Sequence, residues 1–83
     1  MEETEIIKSA LEYVKASAGT GVDRTKLLSA LRTLDGTPLS PDQKDFVFGV
    51  LTGRGWVSYY VDPLWHSRRW VITDKGMTAL EAM

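Results

Sequence analysis

The sequence predicts an α+β domain: a helical body, then one two-stranded hairpin, then a short closing helix. Three observations carry this. The stretch from Arg54 to Gly76 holds two β-prone runs, Trp56–Val61 and Arg69–Ile72, around a loop that begins Asp62-Pro63. Before it, apolar residues recur at helical rather than strand spacing. Between the two regions, Ser40-Pro41-Asp42-Gln43 spells out a helix start: an N-cap Ser, Pro at the first helical position and Gln at the third.

The first helix is expected over Glu3–Ser17, with Ile6, Ile7, Ala10, Leu11 and Val14 on one stripe and Lys8, Glu12 and Lys15 on the outer face. Gly19 is placed to end it in a left-handed cap. Val22 stands alone between the Gly-rich loop and Asp23, and suits a one-residue β-bridge to the later hairpin. Asp23 is the expected N-cap of a second helix that buries Leu27, Leu28, Leu31 and Leu34 and turns Arg24, Lys26, Ser29, Arg32 and Thr33 outward. Asp35-Gly36-Thr37-Pro38 breaks it.

The third helix should run from Pro41 to about Thr52, with Leu39 stapled against its first turns. At about 100° per residue, Phe46, Val47, Val50 and Leu51 share one arc, and Lys44, Asp45, Phe48, Gly49 and Thr52 share the opposite one. The hairpin follows. Thr73 then caps a last helix, whose Met77, Leu80 and Met83 are expected to pack back on the body.

With 83 residues the chain makes one domain, 1–83, and has no room for a second core. A hydrophobic content of 43% and three Trp suffice for a packed interior, and the even spread of charge argues against disorder. Cys is absent, which excludes disulfides and thiolate metal sites. The acidic start (Glu2, Glu3, Glu5) lacks the basic-then-apolar order of a signal peptide, and no apolar run approaches the ~20 residues of a membrane span. A soluble, cytoplasmic protein is expected. Its formal net charge of −1 opposes strong nonspecific binding of nucleic acid but leaves room for a local basic patch.

Two stretches carry a resemblance. Leu51-Thr52-Gly53-Arg54-Gly55-Trp56-Val57 resembles the exit from recognition helix to wing in winged helix-turn-helix proteins. Arg68-Arg69-Trp70-Val71-Ile72-Thr73-Asp74-Lys75-Gly76 resembles the pattern that ends the wing in MarR-like and PadR-like bacterial regulators. The element order resembles that architecture over nearly the whole chain: a three-helix body, a two-stranded wing and a short C-terminal helix. The resemblance implies that helix 41–52 enters the major groove of double-stranded DNA and that hairpin 56–72 is the wing. It places Ser40, Gln43, Lys44, Phe48 and Thr52 on or near the reading helix and His66, Arg68 and Arg69 on the wing. Arg54 and the second-helix residues Arg24 and Lys26 would add phosphate contacts.

Each signal also has a plainer reading. Arg68 and Arg69, with His66, are the one concentrated positive feature; equally, charge on a hairpin guards an exposed edge. The two arginines alternate across the strand and so face opposite ways. Trp65, beside Pro63 and Leu64, makes the hairpin tip apolar. It is either an anchor for a partner or a loop folded back over the sheet. Trp56 and Trp70 read as structural. Phe48 on the outer arc is either a protein contact or a residue packed beneath the hairpin. Asp42 suits a helix N-terminus better than a catalytic pair with Asp45. With no nucleophile motif, phosphate loop or metal-ligand spacing, no enzyme, cofactor or metal site is expected.

Two functions follow. The first is a small winged-helix DNA-binding protein, a transcription regulator of bacterial or phage type, using Ser40, Gln43, Lys44, Thr52, Arg54, His66, Arg68, Arg69, Arg24 and Lys26. The second is a winged-helix protein-interaction module or homodimer with Phe48, Leu64 and Trp65 as the contact patch, motivated by the low pI and by the Asp and Phe on the reading helix.

Overall fold

The computed structural model describes residues 2–17, 20–33 and 35–83, with side chains from Thr4 onward. The fold is α+β. Its described elements are α1 (Glu2–Ala16), α2 (Arg24–Ala30), α3 (Pro41–Gly53), β1 (Val57–Val61), β2 (Arg68–Ile72) and α4 (Asp74–Ala82). The expectations for Gly19 and Leu34 lie outside the described residues. No described helix is long and apolar enough to cross a membrane.

The α1 stripe forms as its spacing requires: Ile6, Ile7, Ala10, Leu11 and Val14 are all buried. With Val22, Leu27, Leu28, Leu31, Leu39, Val47, Leu51, Val57 and Trp70 they make one core. β1 and β2 pair antiparallel, with Tyr59 opposite Trp70, Tyr60 opposite Arg69 and Val61 opposite Arg68. Val22 bridges to Trp70 on the far side of β2, through Trp70 N–H to Val22 O at 2.8 Å and Val22 N–H to Trp70 O at 3.0 Å. That bridge ties the hairpin to the segment between α1 and α2. It needs Gly21 at φ 74°, where a Cβ would lie 2.8 Å from that of Arg69.

The caps divide. Ser40 and Gln43 form the reciprocal capping box, and Thr73 Oγ1 accepts from Gly76 N–H at 3.1 Å. Asp23 stands at the N-cap of α2 with extended backbone, but its carboxylate takes no cap hydrogen bond.

Two expectations need correction. The second helix stops at Ala30, because Leu31 is already extended (ψ 146°) and Arg32 bridges to Pro38. Thr33, Asp35 and Thr37 hydrogen-bond one another across this loop, a local alternative to further helical bonds. Arg32 folds back onto the carbonyls of Ser29 and Leu31 at the helix end.

The phase of α3 also differs. Val47 and Leu51 are buried, but Lys44 and Phe48 flank them half-buried, and Phe46 is 54% exposed. The apolar residues of α3 wrap more than half of its circumference, so spacing alone does not fix the buried side; the position of Trp70 does. In α4, Leu80 packs against the core, while Met83 is exposed.

Candidate interaction surface

Five side chains form an unbroken stack across the face where the hairpin meets α2 and α3. The Arg24 guanidinium lies 4.8 Å from the Phe48 ring centre. Phe48 meets Trp70 edge-on at 4.7 Å, Trp70 meets Tyr59 at 5.0 Å, and the Arg68 guanidinium lies 4.8 Å from Tyr59. Strand alternation accounts for the hairpin's share, since Tyr59, Trp70, Val61 and Arg68 project from one face. Arg24 also bonds Asp45 Oδ1 at 3.1 Å. That surface pair contributes at most ~1 kcal/mol, yet it places a carboxylate beside the only arginine at the α2–α3 end of the stack.

The remaining DNA-contact candidates are scattered. Ser40 and Gln43 are engaged with each other in the capping box. Lys44 is half-buried on the side of α3 that holds Val47 and Phe48 rather than on the outward face. Thr52 is exposed, and its hydroxyl donates to Phe48 O at 2.9 Å. Arg54 caps α3 and covers Trp56 at 5.3 Å. Arg69 lies on the opposite hairpin face from Arg68, with its Nε 3.9 Å from Asp62 Oδ2. His66 and Lys26 are exposed, and neither is a member of the stack. The outward side of α3 presents Asp42, Asp45, Phe46, Gly49, Thr52 and Gly53, all exposed.

Of the protein-contact candidates, Phe48 is spent inside the stack, packed against Trp70 of the hairpin, the second of its two readings. Leu64 and Trp65 do not fold back over the sheet: they are 74% and 70% exposed. The turn holds them there. Asp62 Oδ1 accepts from Leu64 N–H at 2.8 Å and Trp65 N–H at 3.1 Å, Asp62 O accepts from His66 N–H, and Asp62 N–H donates to Ser67 O. His66 closes the turn at φ 55°. Every one of these bonds returns to Asp62, so the tip backbone is organised before any partner arrives. Below the tip on the stacked face, Tyr59 and Val61 are about half exposed.

Sequence reasoning passed over Phe46 and Val61 as surface residues. Strand alternation offered a signal for Val61; none existed for Phe46, whose neighbours in α3 are equally apolar. No family model matches the chain, and comparison with curated proteins and with solved structures gives no match.

Proposed function

We propose that this chain is a winged helix-turn-helix module that binds protein, with the hairpin 56–72 as a wing whose tip carries the contact. The supporting observation is the pair Leu64 and Trp65, displayed to solvent on a turn whose backbone is tied to Asp62. A large exposed apolar pair on an ordered turn is costly on a lone molecule, and a Trp held in place loses little freedom on binding. The helix that would read DNA supports the same conclusion. Its outward side carries two aspartates and a phenylalanine and no cation.

DNA binding with a regulatory role is the second reading. What favours it is Arg68, exposed on the stacked hairpin face with Arg54, Lys26 and His66 elsewhere on the surface. A titration against duplex DNA at about 50 and 200 mM salt separates the two. Protein binding calls for weak DNA affinity that Arg68→Ala leaves unchanged. DNA reading calls for a steep salt slope, reduced by about one when Arg68 is lost. In parallel, the double change Leu64→Ser and Trp65→Ser should abolish capture of a protein partner while leaving the melting temperature unchanged.

A further inference from the structure

The outer edge of β1 is open, and its side chains carry no charge. The hydrogen bonds that bracket the hairpin show which amides it presents. Thr73 N–H donates to Trp56 O at 2.9 Å at one end, and Asp62 N–H donates to Ser67 O at 2.8 Å at the other. Antiparallel pairs exchange hydrogen bonds at every second residue. Ser58 and Tyr60 therefore exchange bonds with Val71 and Arg69, and Val57, Tyr59 and Val61 turn their N–H and C=O groups away from β2. The same parity turns the Trp70 amide outward on the other edge, where Val22 takes it up. On the β1 edge, no bond from another described segment reaches Tyr59 or Val61.

Natural edges are blunted by charge, proline or a bulge. β1 reads Val-Ser-Tyr-Tyr-Val and has none of these, and all but Val57 are exposed. We propose that two copies of this chain pair antiparallel along β1, with Tyr59 opposite Tyr59 of the second copy on a two-fold axis. The proposal rests on the reading of the wing as a protein-binding surface and names its partner.

Several features on this surface agree with that occupant. The symmetric register sets the outward amides of Val57, Tyr59 and Val61 against their counterparts, so the edge is its own complement. It sets no like charges opposite, and the exposed faces of Tyr59 and Val61 become cross-strand neighbours. It also brings Asp62 of one copy level with Trp56 of the other, toward the guanidinium of Arg54. The Leu64–Trp65 tip then lies along the partner instead of in water. A five-residue strand pair is less than a stable interface needs, so the tip must contribute area. The expected affinity is on the order of micromolar.

The test is sedimentation equilibrium of the full chain with two variants. Val61→Glu sets a carboxylate opposite Arg68 within the hairpin, which keeps the monomer intact, but buries a charge at the paired edge. Val61→Pro removes one outward N–H without touching the β1–β2 ladder. Each should weaken a micromolar wild-type dimer by tenfold or more. Because the chain has no Cys, Tyr59→Cys reports the register: it should form an intermolecular disulfide under mild oxidation, while Ser58→Cys should not. A wild-type chain that stays monomeric at about 1 mM overturns the proposal. So does a dimer indifferent to both Val61 changes. If that dimer is broken by Leu64→Ser with Trp65→Ser, the tip remains a protein-binding surface and only the edge pairing fails.

Discussion

Phe48 meets Trp70 edge-to-face at 4.7 Å, and through that contact α3 is fastened to the hairpin. The two residues lie on different elements, and the ring of Phe48 also supports the Arg24 guanidinium. Replacing Phe48 by Ala removes both contacts. Unfolding by urea should show a loss of about 2 kcal/mol, less than for a fully buried Phe because the ring is half-buried. The indole of Trp70 should become more exposed, with a red shift of its fluorescence. A loss under about 0.5 kcal/mol would place Phe48 back on the open surface.

Two glycines in helices should respond in opposite directions. Gly76 is buried in the first turn of α4, and a Cβ there would collide with the Trp56 carbonyl oxygen and the Ile72 side chain. The carbonyl belongs to backbone that already accepts from Thr73, so it has little freedom to move. Gly76→Ala should cost about 2–3 kcal/mol. Gly49 lies on the exposed side of α3 with nothing within 4 Å of its Cβ position. Gly49→Ala should stabilise the chain by about 1 kcal/mol. Thermal melts of the two variants check both signs.

The loop after α2 should show a defined pH response. Hydrogen bonds from the Thr33 hydroxyl, and then from the Thr37 hydroxyl and amide, hold the Asp35 carboxyl below its ordinary value of 3.8. A depressed folded value means the ionised form stabilises the fold. Its contribution is complete above the unfolded value and is lost as pH falls through the lower folded one. The stability difference between wild type and Asp35→Ala should stay constant from about pH 7 to about pH 5 and shrink below about pH 4. A difference that grows on acidification would reverse the assigned sign.

How far the sequence reaches depends on whether a feature is local. The α1 stripe, the Ser40–Gln43 capping box, the Thr73 cap and the Val22 bridge were all legible, because each follows from neighbouring residues or from one isolated apolar position. The end of α2 was not. Leu31 continues the helical spacing, and its extended backbone, the Arg32–Pro38 bridge and the Thr33–Asp35–Thr37 bonds reveal that the chain has left the helix. The phase of α3 was ambiguous for a different reason. Phe46, Val47, Phe48, Val50 and Leu51 supply apolar residues on several sides, and a tertiary neighbour, Trp70, selects among them.

Within the candidate surface, residue types were readable and pairings were not. Arg24 was expected to turn outward to phosphate, but Asp45, 21 positions away, engages it. Arg68 and Arg69 were correctly expected on opposite faces, since alternation requires it. The exposure of Trp65 turned on the hydrogen bonds that Asp62 makes to the tip amides, and the sequence names the Asp-Pro pair without saying which way the loop leans.

The most direct measurement is photo-cross-linking from position 65, with a benzophenone side chain replacing Trp65 in the full chain and the adducts resolved in an extract of expressing cells. The expected result is a discrete protein adduct, reduced by Leu64→Ser and unchanged by Arg68→Ala. Adducts to nucleic acid instead, or no adduct from a side chain this exposed, would contradict a wing built to bind protein.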